Sequence, residues 1–302
     1  MPTPPAYEER ARRQIHGWKT PQRSWFDKTM DIVSWPIDKA GQALLNTPGM
    51  GPTIQKACSG ILSIINDASQ WSVRPHVILG EYGRLGHRNI ESLADIYGLD
   101  LSSVDRAMGW LDIKYEGIAL VEGATLGGTS VLMPAAALAA IPADVVALLA
   151  LNLRALGEYA TYCGFDVSLP SERLFALNVL ALASSPTDAS KQIALAQLVR
   201  IARDVALKKT WQDLERHAAV QTAQKIAQAL SIRLTKAKLA QVIPVVGAVI
   251  GGGFNAHYTD RVCKSAFYLY RERFLAEKYG VDEIEVTVET ALTLEPAYET
   301  EP

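Results

Sequence analysis

Two stretches of this chain carry almost no charge and are rich in glycine. Residues 117–153 contain only two acidic residues and no basic one, and residues 239–259 contain no acidic residue, lysine or arginine. Each stretch holds the pattern Gly-Ala-x-x-Gly-Gly, at 123–128 and at 247–252. Small residues four positions apart let a second backbone come unusually close, in membranes and in tight soluble helix pairs. The pattern therefore predicts closely packed or membrane-contacting helices.

Length and side-chain chemistry decide whether these stretches cross a membrane. A transmembrane helix needs about 20 largely apolar residues. Residues 239–259 have that length, but Pro244 and several polar residues interrupt them. Glu122 and Asp144 would lie near the ends of spans in the first stretch, and a charge at mid-bilayer costs at least about 2.5–3.5 kcal/mol. Alanine and glycine also bury little area. The sequence favours a buried hairpin over a peripheral membrane contact, and both over a span.

Composition limits the domain count and the partners. The chain has 302 residues, 49% of them hydrophobic and 21% charged, and a formal net charge of −2. This length suits one large domain or two ordinary ones, and the near-neutral charge gives no overall case for nucleic acid as a partner. Helical patterns run almost throughout. We predict an all-α fold with a helical extension over residues 1–70, a single multi-helix domain over 71–280 and an acidic tail over 281–302. A glycine- and alanine-rich pair of helical hairpins is expected at the centre of the domain.

The cysteines and the N-terminus indicate a compartment. Cys58, Cys163 and Cys263 lie about a hundred residues apart, a spacing that fits neither a disulfide framework nor a zinc site. The first residues lack the apolar segment of a secretory signal. We therefore expect a cytoplasmic protein.

Local signals place several helix boundaries. Residues 7–19 form a charged helical pattern, Ser102 or Ser103 can cap a helix, and proline at 142 and at 170 suits a helix start. The helix that starts at Pro142 is expected to end at Gly164. Residues 256–279 carry one apolar stripe, which comprises Tyr258, Val262, Ala266, Tyr270 and Phe274. The basic residues of that segment are expected on its remaining surface: Arg261, Lys264, Arg271 and Arg273.

Catalytic and ligand-binding motifs are weak. Ser130 follows two glycines but does not form a Gly-x-Ser-x-Gly elbow, and the cysteines have no neighbouring histidine. His257 and Asp260 share helical spacing, yet no His-Glu-x-x-His motif is present. Residues 247–253 are glycine-rich but lack the Lys-Ser/Thr of a phosphate-binding loop. We expect no cofactor and no metal site.

Polar residues in and beside the two apolar stretches form a candidate cluster. Its members are Glu122, Asp144, Arg154, Glu158, Asn255, Asp260 and Arg261. Arg154 and Glu158 are four apart and can pair on one helix. Because unpaired buried charges are costly, we also predict that Glu122 or Asp144 meets Arg261. Two interpretations remain open: pairs that set helix register, or a functional pocket.

Five segments of the chain together resemble the EcsC family. They are residues 243–256 with 258–261, residues 121–124 with Gly127 and Gly128, residues 141–144, residues 162–166, and residues 170–173 with 176–180. The resemblance covers residues 75–280. It implies a bacterial, membrane-associated protein, since the family takes its name from a gene adjacent to an ABC transporter. It brings no catalytic residues.

Three functions are compatible with these observations. The first is a non-enzymatic accessory or regulatory protein at the cytoplasmic face of the membrane, linked to transport, whose partner is membrane lipid or a membrane protein. The second is a hydrolase-type enzyme that uses the polar cluster. The third is a protein-interaction scaffold built on the basic helices of residues 200–238. The oligomeric state is left open.

Overall fold

The structure, a computed structural model, describes residues 5–19, 71, 73–132, 134–184 and 253–280, with isolated positions between 52 and 63. For 123–142 it describes the backbone only. This part of the chain contains no strand, so the all-α prediction is confirmed. It forms a 3-10 helix, Leu93–Gly98, and seven α-helices: α1 Ala6–Lys19, α2 Pro75–Arg84, α3 Leu101–Met108, α4 Leu111–Leu132, α5 Pro134–Tyr162, α6 Pro170–Ala183 and α7 Gly253–Tyr279.

Helices α4 and α5 form a hairpin that contains the described residues of the first apolar stretch, which are all but residue 133. The expected helix start at Pro142 is wrong, because α5 begins at Pro134 and passes through position 142. Proline at the first helical position loses no hydrogen bond, and Pro134 satisfies that rule eight residues earlier. The pattern at 123–128 lies within α4, whereas its counterpart at 247–252 lies outside the described residues.

The end of α5 follows the local signals. Gly164 has a φ of +89°, a left-handed conformation that favours glycine. A Cβ at this position would lie 2.8 Å from the Tyr97 ring and 2.9 Å from the Leu93 carbonyl oxygen, so the turn needs glycine for two reasons. Tyr97 donates a hydrogen bond of 2.9 Å to the Gly164 carbonyl. The predicted helix end at this glycine is confirmed.

Helix α7 lies at the centre of the described fold and packs against α1, α3, α4, α5 and α6. The predicted apolar stripe is confirmed, since all five of its members are buried. Tyr270 packs edge-on against Phe175 of α6, with ring centroids 5.4 Å apart. The predicted start of α6 at Pro170 is also confirmed.

Helix α1 packs onto α7 from the N-terminal side of the chain. Ala11 and Ile15 are buried, and the Trp18 ring stacks on Tyr268 with centroids 5.1 Å apart. The helix was expected from its charged pattern and lies within the predicted extension. The division of the chain at residues 70 and 280 stays a prediction.

The start of α3 differs from its prediction. The helix begins at Leu101 with Asp100 as its N-cap, so the expectation of a Ser102 or Ser103 cap is wrong. The Leu101 N–H donates to Glu8 of α1 at 3.1 Å. A side chain from a distant helix therefore satisfies one of the first-turn N–H groups that have no partner within their own helix.

Candidate functional site

The described members of the predicted polar cluster fall on two sides of α4. On the α5 side, Arg154 Nε lies 3.7 Å from Glu158 Oε1, which confirms the predicted pair. Lys114 of α4 joins it, because its Nζ donates to Glu158 Oε2 at 2.5 Å. Lys114 Nζ also lies 4.8 Å from the Trp110 ring centroid. Two cations thus share one carboxylate on this side.

On the α7 side, acidic groups predominate. Asp260 pairs with Lys264 one turn later, at 2.6 Å. Glu116 of α4 faces Asp260, and Asp112 lies nearby. Burial, then the charge of Asp260, raises the pKa of Glu116. Residues 114 and 116 project about 200° apart around a helix, so Glu158 and Asp260 belong to separate groups.

For the remaining four predicted residues, the structure gives the burial of each residue. Asn255 is buried, and Glu122, Asp144 and Arg261 are half-buried. The predicted meeting of Glu122 or Asp144 with Arg261 stays a prediction.

A row of large apolar side chains on and just before α4 is exposed between these two charged groups. Its members, which we call the α4 apolar face, are Trp110, Ile113, Leu120 and Val121; Ile118 is also exposed but lies on the other side of Lys114, toward Leu111. Ile113 is 75% exposed and Val121 is 64% exposed. The opposite side of the same helix is buried through Leu111, Tyr115 and Ala119. Helix α4 is therefore apolar on both sides over this range.

The sequence contained a signal for this face. Positions 110, 113, 117 and 120 or 121 follow helical spacing, and Leu111, Tyr115 and Ala119 form a second stripe. A soluble surface helix usually shows one stripe. The stretch was expected to be enclosed, which holds for Val145, Leu148 and Leu149 on α5 but not for this side of α4.

The basic residues of α7 depart from their prediction. Arg271 and Arg273 were expected at the surface, but both are buried. Arg273 binds Glu172 of α6 through two hydrogen bonds, and its guanidinium carbon lies 3.9 Å from the Phe165 ring centroid and 4.2 Å from that of Phe175. The surface prediction is wrong because partners on other helices neutralise these charges.

Arg271 takes part in a second interior pair. Its Nη2 donates to Asp105 Oδ2 of α3 at 2.8 Å, and Tyr7 of α1 donates to the same oxygen at 2.7 Å. Burial raises the pKa of the Asp105 carboxyl, although the Arg271 charge and the Tyr7 hydrogen bond oppose this. These three groups join α1, α3 and α7.

Glu8 forms a third interior group. It accepts hydrogen bonds from Lys278 Nζ at 2.7 Å, from the Tyr279 hydroxyl and from the Leu101 N–H. Burial alone would raise the pKa of Glu8, but these donors together hold it below its ordinary value. The N-terminal helix is thereby fastened to the last turn of α7.

The described residues provide little support for nucleophilic catalysis or metal binding. Cys163 and Cys263 are buried, and burial raises the pKa of both thiols, which disfavours the reactive thiolate. Among the residues that the structure describes, no three His, Cys, Asp or Glu side chains are grouped to hold a metal ion. For Ser130 the structure describes the backbone only. The α4 apolar face and its charged borders therefore form the candidate functional site, and the chemistry they fit is binding.

Membrane crossing was the remaining question for the apolar stretches. Within the described ranges, no helix is both long enough and apolar enough to cross a bilayer. Residues 239–252 lie outside those ranges.

Comparison with known proteins gives a family match over most of the chain. A family model described as the EcsC protein family matches residues 9–275. The chain is 24% identical over 277 residues to Uncharacterized protein YdbA of Bacillus subtilis (strain 168), covering 91% of this chain and 95% of that protein. It is 25% identical over 186 residues to Protein EcsC of the same organism, covering 62% of this chain and 70% of that protein. No solved structure matches it significantly. The family match begins at residue 9 and so includes most of α1, which the five resembling segments did not.

Proposed function

This chain belongs to the EcsC protein family, and we propose that it is a non-enzymatic accessory protein that attaches peripherally to the cytoplasmic face of the membrane. Attachment takes place through the α4 apolar face. The proposed link to transport rests on the family resemblance alone.

The exposure of the α4 apolar face carries this proposal. Four large apolar side chains project from about three helical turns. Full burial of one such side chain is worth about 1.5–3 kcal/mol. An amphipathic helix that lies in the plane of a bilayer buries its apolar face among the acyl chains in the same manner. The face therefore supplies a driving force for attachment without a membrane span.

The residues that border the α4 apolar face on its α5 side are of types that proteins place at a lipid interface. Trp110 is partly exposed at one end of the row, and tryptophan is enriched at the boundary between headgroups and acyl chains. Lys114 and Arg154 place two positive charges beside Glu158. The long stems of lysine and arginine can extend their charges toward headgroups while the neighbouring residues insert. Anionic lipids of the cytoplasmic leaflet attract such groups.

The hydrolase alternative has less support. Arg154 and Glu158 form an ion pair with Lys114, and Asp260 pairs with Lys264. These contacts favour the interpretation in which the cluster positions helices. The scaffold alternative depends on residues 200–238, which lie outside the described residues.

Vesicle co-sedimentation of the full chain tests the proposal with a matched pair of variants. Leu120 belongs to the α4 apolar face and Leu169 does not, yet each is 51% exposed. We expect Leu120→Gln to weaken binding to vesicles of mixed phosphatidylcholine and phosphatidylglycerol about fivefold or more, since roughly 1 kcal/mol of burial is lost. Leu169→Gln should bind as the unaltered chain does. Absence of sedimentation with these vesicles, or equal losses in both variants, would contradict the proposal.

A further inference from the structure

We propose that Glu116 makes attachment of the α4 apolar face sensitive to acidity, so that the face binds an anionic bilayer more tightly when this carboxyl is protonated. The inference rests on the proposed function and adds a regulation to it.

The inference is based on the position of Glu116 on α4. Glu116 is half-buried and lies three residues after Ile113 and four before Leu120. Residues at these spacings are neighbours on a helix surface. The carboxyl group therefore lies at the edge of the apolar face, between two of its members. Insertion of the face must bring this group close to the headgroups or below them.

The groups that face Glu116 favour its neutral form. From α7 come the acidic Asp260, the basic Lys264 and the buried Cys263, and from α4 itself comes Asp112. Helix α5 contributes Tyr159 near Cys263, while two of its charged residues, Arg154 and Glu158, lie with Lys114 on the other side of α4. Its third charged residue, Asp144, lies ten residues before Arg154, toward the start of α5. Lys264 already pairs with Asp260. Burial and the charges of Asp260 and Asp112 raise the pKa of Glu116, the charge of Lys264 lowers it, and burial together with Asp260 outweighs Lys264.

Ionised Glu116 opposes binding in two ways. A charged carboxylate loses hydration when the adjacent apolar residues enter the interface. It is also repelled by anionic headgroups, whose surface potential acts over about one Debye length. A proton from the solvent removes both effects and leaves a neutral group that can donate a hydrogen bond to Asp260. Binding should therefore tighten as the pH falls.

The test compares the full-length protein, Glu116→Gln and the control Glu91→Gln, which removes an exposed carboxylate away from the face. Co-sedimentation is measured from about pH 7.5 to about pH 5, with vesicles of mixed phosphatidylcholine and phosphatidylglycerol and with phosphatidylcholine alone. The unaltered chain and Glu91→Gln should bind the anionic vesicles about fivefold more tightly at the acidic end. Glu116→Gln should bind at neutral pH as the unaltered chain does in acid, with little further change.

The possible failures are distinguishable. Binding that depends on Leu120 but not on pH, or a pH dependence that Glu116→Gln retains, would overturn the inference and leave the proposed function intact. Absence of binding by the unaltered chain and by Glu116→Gln at every pH would overturn both this inference and the proposed function. If acid tightened binding to phosphatidylcholine vesicles as much as binding to the anionic vesicles, repulsion between ionised Glu116 and anionic headgroups would be contradicted as a cause.

Discussion

Arg273 of α7 and Glu172 of α6 form a doubly hydrogen-bonded ion pair inside the protein. Arg273 Nη1 donates to Glu172 Oε2 at 2.6 Å, and Nη2 donates to Oε1 at 2.9 Å. The guanidinium plane also packs between Phe165 and Phe175. Planar arginine suits this site because it can bind a carboxylate through two nitrogens while its faces contact aromatic rings. The two residues are 101 positions apart in the chain, and the pair joins their helices.

Breaking this pair should be strongly destabilising. Glu172→Gln leaves the Arg273 charge buried without its counter-charge, so we expect the free energy of unfolding to fall by about 3–5 kcal/mol. Urea denaturation followed by circular dichroism measures it. Glu9→Gln is the control, because Glu9 pairs with Arg13 on the exposed surface at 3.4 Å and should change stability by less than about 0.5 kcal/mol. A loss below about 1 kcal/mol for Glu172→Gln would show that the pair contributes little.

Glu8 should make stability depend on acid pH. Its pKa is lowered from the ordinary 4.5 in the folded chain, so its contribution is complete above that value and is lost as the pH falls through the lower folded value. Glu8→Gln should cost about 2–3 kcal/mol at neutral pH, because Lys278 loses its nearer carboxylate partner and retains Asp100 at 3.4 Å. The difference from the unaltered chain should shrink below about pH 4.5.

Thermal melts across this pH range measure the effect of Glu8. Glu9→Gln serves again as the control, since it changes the neighbouring carboxylate without touching α7. A difference between Glu8→Gln and the unaltered chain that stays constant down to about pH 3 would contradict the assignment of this titration to Glu8.

Two helical glycines should respond in opposite directions to alanine. A Cβ on Gly157 of α5 would lie 2.6 Å from Val73 Cγ2 and 3.4 Å from Trp71 Cε3, and a β-branched valine has little freedom to move aside. Gly157→Ala should therefore destabilise by about 1–3 kcal/mol. A Cβ on Gly117 of α4 would meet nothing within 4 Å, so Gly117→Ala should stabilise by up to about 1 kcal/mol. Chemical denaturation of both variants tests the pair, and equal shifts would contradict this account.

The buried thiols should be unreactive in the folded protein. Burial raises the pKa of Cys163 and Cys263 and also blocks access to reagents. In a Cys58→Ser variant, a thiol-specific disulfide reagent at mildly alkaline pH should titrate no cysteine until denaturant is added, and both cysteines afterwards. Rapid reaction of either thiol in the native state would indicate an accessible, activated cysteine and would revive the enzyme alternative.

Local sequence signals predicted the helices well. The charged pattern of α1, the glycine at the end of α5, the proline at the start of α6 and the apolar stripe of α7 were all confirmed, because each depends on neighbouring residues. The start of α5 was misplaced because Pro134 and Pro142 both satisfy the rule for a first helical position. Of the polar cluster, only the Arg154–Glu158 pair followed directly from spacing.

The sequence by itself determined that this chain is helical, that it belongs to its family and that its first apolar stretch folds as a hairpin. Only the tertiary structure decided which charges are interior and which apolar residues are exposed. Arg271 and Arg273 lie off the apolar stripe of α7 and yet are buried, because Asp105 and Glu172 reach them from other helices. Helix α4 has two apolar sides, and helical periodicity cannot tell which of them packs against α7. Periodicity is a property of one helix, whereas burial depends on the neighbours that the fold brings to it.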